Sequence, residues 1–240
     1  MDMSVDTILE VKNLSIKLDD AEILRNISFS VKKGEALAII GPNGAGKTML
    51  FRALLKLVPY LGTITWKSGV RIGYVPQKFS IHYHSPLTVK EFFLLQSESF
   101  WLPPKKTLEH LNHELKLVGL SDNILKQPIH TLSGGQLQRA LIAWAMLTHP
   151  DVLLFDEPTT GIDIGAEETI YNLIHKLQDE RGITVLLISH DLNIIYKYAK
   201  NVICINKELV CHGAPQSVLT PTELSELYGE GAFYHHLDKK

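Results

Sequence analysis

A glycine-rich stretch between a strand pattern and a helix pattern constrains this chain more than any other feature. Residues 35–40 (EALAII) have the apolar run of a buried strand, and a helical pattern runs from Thr48 to about Leu57. The stretch between them fits GxxxxGK[ST], in which glycines let backbone N–H groups converge on an anion at a helix N-terminus. We therefore predict a phosphate-binding loop rather than a plain glycine-rich turn, with Lys47 on the terminal phosphates and Thr48 as a ligand of Mg²⁺. This phosphate loop consists of Gly41, Pro42, Asn43, Gly44, Ala45, Gly46, Lys47 and Thr48.

The bulk composition limits the classes of protein to consider. The 240 residues are 45% hydrophobic with a formal net charge of −2, which suits one globular domain and gives a nucleic-acid partner no support. No stretch approaches the ~18–20 apolar residues that span a bilayer, and the N-terminus lacks the pattern of a signal peptide.

Cys204 and Cys211 fall in a predicted hairpin with its turn at residues 206–207. In that register the two cysteines are diagonal, so we expect free thiols and a reducing cytoplasm.

The order of strand and helix patterns predicts an α/β fold. Residues 8–18 and 24–31 alternate apolar and polar side chains, as antiparallel strands do. Later strand patterns at 152–156 and 183–189 alternate with helix patterns, which indicates a parallel sheet. We predict a P-loop NTPase (RecA-like) core with an N-terminal antiparallel β subdomain and an inserted α-helical subdomain. The predicted divisions are a core at about 5–77 and 131–212, a helical lobe at about 78–130 and a C-terminal tail at about 213–240. The later helices are predicted at about 135–148, 165–180 and 191–199, and short strands near 62–66 and 72–75.

Two acids end the apolar strand at 152–156. The carboxyl ends of parallel strands meet at the ligand edge of a sheet, so Asp156 is expected to hold Mg²⁺, usually through water. Glu157 follows it and is the better candidate for the general base that takes a proton from the attacking water. Taken alone, the pair could be an ordinary solvated strand end. Its position after a phosphate loop favours the catalytic interpretation.

A second anion-binding helix end is predicted at residues 132–136 (LSGGQ), which we call the signature segment. Ser133 suits the N-cap of the helix that follows, and Gly134 and Gly135 permit close approach by a ligand. A plain capped helix would not need the glycine pair. Together with the phosphate loop, this segment resembles the ABC ATPase family over nearly the whole chain. The resemblance implies that two copies pack head to tail, with Ser133, Gly134, Gly135 and Gln136 of one copy closing on the ATP held by the other.

Three further positions match the family residue by residue. Gln77 resembles the glutamine that contacts Mg²⁺ and the attacking water, and His190 resembles the histidine that contacts the γ-phosphate. Asp163 resembles the aspartate that crosses the dimer interface. Leu18 stands where many relatives carry an aromatic residue that stacks on adenine, so we expect weak discrimination between ATP and GTP.

The resemblance also implies partners and a location. They are an integral membrane permease, a second copy of the chain and an extracytoplasmic substrate-binding protein, with the chain on the cytoplasmic face of the membrane. Residues 71–78, the Gly161-Ile162-Asp163 form of the dimer loop, and Tyr228-Gly229 followed by His235-His236 resemble ATPases of zinc and manganese importers.

Several alternatives stay open at this point. Importers of iron chelates or other small nutrients share much of this scaffold. An ABC ATPase acting on nucleic acid would carry two cassettes or long insertions, and a metabolic phosphoryl transferase would need an acceptor pocket. The histidine pairs at 82 and 84, at 110 and 113, and at 235 and 236 do not by themselves fill a four-ligand zinc site, and solvated or packed histidines are the simpler interpretation.

Overall fold

A computed structural model describes residues 6–19, 21–79, 86–96, 104–160 and 164–229, together with all their side chains except those of residues 164–166. The strands are β1 (Thr7–Leu18), β2 (Ala21–Lys32), β3 (Ala36–Ile40), β4 (Leu61–Trp66), β5 (Ile72–Val75), β6 (Val152–Asp156), β7 (Thr184–Ile188), β8 (Asn201–Asn206) and β9 (Glu208–Gly213). The α-helices are α1 (Lys47–Leu54), α2 (Val89–Leu94), α3 (Lys105–Leu117), α4 (Gly134–Met146), α5 (Ile164–Arg181), α6 (Leu192–Tyr198), α7 (Pro215–Val218) and α8 (Pro221–Tyr228). Two 3₁₀ helices, Asp122–Lys126 and Ile129–Thr131, lie between α3 and α4.

The N-terminal strands form a small antiparallel sheet in the order β2-β1-β4. Alternate side chains of β2 are buried, so one face packs inward and the other meets solvent, as their alternating pattern predicts. The inward face packs on α1 through Leu50, Phe51 and Leu54. This packing anchors the helix that follows the phosphate loop.

A six-stranded sheet in the order β5-β6-β7-β3-β8-β9 forms the centre of the molecule. Its first five strands are parallel, and β9 adds antiparallel to β8. All residues of β3, β6 and β7 are buried, because both faces are covered. The carboxyl ends of β3 and β6 therefore bring the phosphate loop and Asp156 to one edge. The predicted α/β fold is confirmed.

Helical segments lie between β5 and β6, where a lobe is predicted. Helix α2 begins at a capping box in which the Thr88 side chain accepts from the Glu91 N–H, and Glu91 accepts from Thr88 N–H at 2.8 Å. Buried Phe92, Leu111 and Leu115 join one hydrophobic core with Leu153 of the central sheet. The exact subdomain boundaries stay a prediction. None of the helices in the described part of the chain is both long and apolar enough to cross a membrane.

The β8–β9 hairpin differs from the prediction in register. Lys207 stands alone at the tip with φ of 60°, and an irregularity between Cys204 and Ile205 shifts the pairing by one residue. Cys204 is consequently directly opposite Cys211, and the two form a disulfide. The expectation of free, diagonal thiols is wrong in this structure. The physical reason is the tip: the Lys207 N–H donates to Ala45 at 3.3 Å and its carbonyl accepts from Arg25 at 2.7 Å, which holds a tighter turn than the two-residue one expected.

Candidate nucleotide site

The phosphate loop runs from the end of β3 into the first turn of α1. Lys47 is 6% exposed, and its ammonium donates to the carbonyls of Gly41 and Pro42 at 2.8 and 3.0 Å. Burial lowers the pKa of Lys47, while the negative charges of Glu157 and Asp156 raise it. Among the described residues, this buried ammonium has only carbonyl partners at hydrogen-bond distance, so it is suited to receive an anion.

The start of α1 is uncapped by any side chain. Gly46 occupies the N-cap at φ 96°, and no acidic residue lies in the first turn. The helix thus presents N–H groups and the positive end of its dipole without an internal competitor. A Cβ on Gly46 would lie 2.5 Å from Leu24 Cδ2, and one on Gly41 would overlap the carbonyl of Ile205. The glycines are required where the loop is pressed against β2 and β8.

Asp156 ends β6 next to the phosphate loop. Its Oδ1 accepts from the Thr48 hydroxyl at 3.1 Å and its Oδ2 from the Tyr74 hydroxyl at 3.2 Å. Asp156 is 1% exposed, and burial raises its pKa although both hydrogen bonds oppose the change. The hydroxyl and carboxylate oxygens of Thr48 and Asp156 are hard donors of the type that Mg²⁺ prefers, so this pair fits the ion.

Glu157 lies at the centre of a cluster of polar side chains. Its Oε1 is 2.6 Å from Nε2 of His190, and its Oε2 accepts from Gln77 Nε2 and, at 3.2 Å, from the Thr160 hydroxyl. The hydrogen bond from His190 lowers the pKa of Glu157, with burial opposing. Its backbone is left-handed, with φ of 48°, which is uncommon for a residue with a side chain and is concentrated at functional sites. The structure therefore brings together the predicted general base, the predicted γ-phosphate histidine and Gln77.

The signature segment forms the predicted N-cap of α4. The Ser133 hydroxyl accepts from the Gln136 N–H at 3.3 Å, and the Gln136 side chain accepts from the Ser133 N–H at 3.1 Å. Ser133 and Gly134 are exposed at this helix end. An exposed anion-binding helix end is suited to a ligand held by another chain.

The structure does not place the other predicted positions in this site. Asp163 and the histidines at 82, 84, 235 and 236 lie outside the described residues. Leu18 is 37% exposed at the end of β1. His110 stacks on His149 with ring centroids 4.3 Å apart, and no group of three metal-ligating side chains occurs within the described parts of the chain.

Sequence reasoning missed three residues that contact this site. Tyr74 bonds Asp156, and Thr160 bonds Glu157. Tyr228, cited above only for its resemblance to importer ATPases, has its pKa raised by burial and forms a hydrogen bond with the backbone of Gly41. Tyr74 and Thr160 lie within three residues of a predicted site residue, which is a usable signal. The resemblance at Tyr228 did not point to this contact, because the contact depends on how α8 packs.

Comparison with known proteins agrees with this geometry. The family model described as ABC transporter matches residues 24–160. The zinc import ATP-binding protein ZnuC of Hydrogenovibrio crunogenus is 35% identical over 243 residues, covering 98% of this chain and 94% of the relative. The protein of the same name from Photorhabdus laumondii is 37% identical over 238 residues, covering 97% and 90%. A solved ADP conformation of an ATP-binding cassette of an ABC transporter has a TM-score of 0.80 at 25% identity, covering 92% of this chain and 98% of that one. The chain belongs to the ABC transporter family and is one of its nucleotide-binding, ATP-hydrolysing subunits.

Proposed function

We propose that this chain hydrolyses ATP to energise a membrane importer of zinc. The observation that carries the hydrolytic part is the position of Glu157 between Gln77 and His190, beside the buried ammonium of Lys47. Zinc as the cargo is supported by relatives named zinc import ATP-binding proteins, which match 97–98% of this chain at 35–38% identity.

Binding of the nucleotide is assigned to the phosphate loop. Residues 41–48 surround the phosphates with backbone N–H groups, and Lys47 would exchange its contacts with the Gly41 and Pro42 carbonyls for phosphate oxygens. Thr48 and Asp156 would hold Mg²⁺, with Gln77 as a further ligand. When bound, the ion neutralises charge on the phosphates and orients them.

Hydrolysis is assigned to the cluster around Glu157. The hydrogen bond from His190 keeps the pKa of Glu157 low, so the carboxylate is ionised at neutral pH and can accept a proton from water. Gln77 and Thr160 fix the other carboxylate oxygen, which leaves the group little freedom to rotate. His190, on the same edge, would contact the γ-phosphate.

The remaining assignments concern assembly. Ser133, Gly134, Gly135 and Gln136 would complete the site of a second copy, and Asp163 would cross the interface between the copies. The helical lobe at about 78–130 would transmit closure to an integral membrane permease, fed by an extracytoplasmic substrate-binding protein. This arrangement places the chain on the cytoplasmic face of the membrane and requires no nucleic acid.

The cargo is tested by the elemental content of cells that lack this chain and grow under metal limitation. Each culture would carry wild type, Glu157→Gln or the control Glu226→Gln, which makes the same change on the exposed side of α8. We expect cellular zinc to fall without the chain and to recover with wild type and Glu226→Gln only. Unchanged zinc, with a fall in manganese or in uptake of iron chelates, would contradict the zinc assignment and leave the ATPase assignment standing.

A further inference from the structure

The buried hydroxyl of Tyr171, on helix α5, contacts the two segments that carry Glu157 and His190. Tyr171 is 2% exposed, and its Oη lies 3.1 Å from Oγ of Ser189 and 3.3 Å from Oγ1 of Thr159. Ser189 directly precedes His190, and Thr159 follows Glu157 by two residues. One phenol thus contacts both segments of the proposed catalytic cluster without touching either catalytic side chain.

The partners of Tyr171 are themselves fixed. Ser189 is 2% exposed, and its hydroxyl accepts from the Asp191 N–H at 3.1 Å. Asp191 in turn caps α6 by accepting from the Asn193 N–H at 2.8 Å. The segment before and after His190 is therefore held at both ends, by β7 and by α6, and Tyr171 adds a third attachment from α5.

The other segment is less supported. Beyond Glu157 the chain leaves β6, and Thr160 bonds back to the Glu157 carboxylate at 3.2 Å. The Glu157 N–H donates to Ile188 at 3.1 Å, so the two segments already meet at the backbone. Tyr171 provides a second junction between them, through side chains alone. Tyr171 and Ser189 are each 2% exposed and Thr159 is half-buried, and in a network of this kind each hydrogen bond polarises the next.

We propose that Tyr171 is a positioning residue for hydrolysis, whose hydroxyl locks the segment carrying Glu157 to the segment carrying His190. This inference rests on the roles proposed above for those two residues. Burial also raises the pKa of Tyr171, so the phenol stays protonated across the physiological pH range and the lock is not a pH switch.

The chain supplies a matched control. Tyr198 of α6 stacks on Tyr171 with ring centroids 6.5 Å apart, and its hydroxyl donates to Asn172 at 2.5 Å on the exposed side of α5. Tyr171→Phe and Tyr198→Phe thus remove the same atom from neighbouring rings, one facing the catalytic segments and one facing away.

The experiment measures kcat, KM, ATP affinity and melting temperature for the purified full-length chain and both variants. We expect Tyr171→Phe to lower kcat about tenfold while ATP affinity stays within about twofold, because a displaced catalytic group costs turnover rather than binding. Tyr198→Phe should keep kcat within about twofold of wild type at a similar melting temperature. Ser189→Ala breaks the same lock from the other side, and combining it with Tyr171→Phe should give no further loss beyond the larger single effect.

Two results would overturn the proposal. One is an unchanged kcat in Tyr171→Phe, with or without a rise in KM, and the other is an equal loss of kcat in Tyr198→Phe. If Tyr171→Phe does not fold, Ser189→Ala and Thr159→Val decide by the same criteria. Glu157→Gln, assayed in parallel, distinguishes failure of the proposed catalytic roles from failure of this inference. Normal turnover in Glu157→Gln would contradict both. An inactive Glu157→Gln together with a normal Tyr171→Phe would contradict this inference alone.

Discussion

Nε2 of His190 lies 2.6 Å from Oε1 of Glu157, while Gln77 and Thr160 bond the other oxygen of the same carboxylate. The carboxylate is held by side chains from three separate segments of the chain, at the ends of β5, β6 and β7. The contacts from His190 and Thr160 also lower the pKa of Glu157, whereas burial raises the pKa of its neighbour Asp156.

Removing the charge of Asp156 should stabilise the nucleotide-free chain. Burial raises the pKa of Asp156 above its ordinary 3.8, so the folded state holds this proton more tightly than the unfolded state. Stability therefore falls as pH rises from 3.8 through the raised pKa, and the cost of the buried charge persists at neutral pH. We expect Asp156→Asn to raise the melting temperature at pH 7 by a few degrees, with the gain shrinking toward pH 4. Thermal unfolding across this pH range checks it.

Glu157→Gln is the control for that experiment, since its shift has the opposite sign. The pKa of Glu157 is lowered from 4.5, so its ionised form contributes stability that is present above pH 4.5 and lost as pH falls through the lower folded value. This variant should not gain stability at pH 7. A gain of equal size in both variants would contradict the assigned causes.

Gly41→Ala should disrupt the phosphate loop. A Cβ at this position would overlap the Ile205 carbonyl of the disulfide-linked hairpin. At Gly69, also at positive φ, a Cβ would meet no atom of the described residues within 4 Å. We expect Gly41→Ala to cost about 1–3 kcal/mol more stability than Gly69→Ala, as overpacking does, and to weaken ATP binding. Chemical denaturation and nucleotide titration measure the two effects. Equal stability of the two variants would show that the hairpin does not constrain the loop.

The register of the β8–β9 hairpin could not be predicted from the sequence. The strand, loop and helix around Lys47, the N-cap at Ser133 and the strand tip at Asp156 follow from local patterns, because spacing and capping are set by neighbouring residues. The pairing of Cys204 with Cys211 depends instead on a one-residue shift imposed by contacts of Lys207 with Ala45 and Arg25, which are far away in sequence. The contacts of Tyr171 with Thr159 and Ser189 are likewise set by packing alone.

Glu114→Gln should loosen α3 from the end of α5. Glu114 is fully buried and receives three bonds of 3.2–3.3 Å from the Arg181 guanidinium. Breaking a buried ion pair costs about 3–5 kcal/mol, and because Arg181 is 26% exposed we expect the lower end. Glu109→Gln, on the same helix and 3.7 Å from Lys105 at the surface, should change stability by less than about 1 kcal/mol. Similar urea midpoints for both variants would contradict the claim that the Glu114–Arg181 ion pair holds α3 to α5.

Leu18, at the end of β1, should leave discrimination between ATP and GTP weak. Leu18 is 37% exposed and offers apolar contact without ring stacking, so ATP and GTP should compete nearly equally for wild type. Leu18→Tyr should tighten binding of both nucleotides by about 0.5–1.5 kcal/mol and leave their ratio nearly unchanged, since a tyrosine ring stacks on either purine. Competition binding measures this ratio. A strong preference for ATP in wild type would rule out the assignment of this position.

The most direct test of the account is a comparison of ATP binding and single-turnover hydrolysis in wild type and Glu157→Gln. If Glu157 is the general base, the variant should bind ATP with near wild-type affinity, hydrolyse it at least ~100-fold more slowly and accumulate as an ATP-bound dimer. Hydrolysis within a few-fold of wild type, at normal ATP affinity, would contradict the assignment of Glu157 and the catalytic centre built around it.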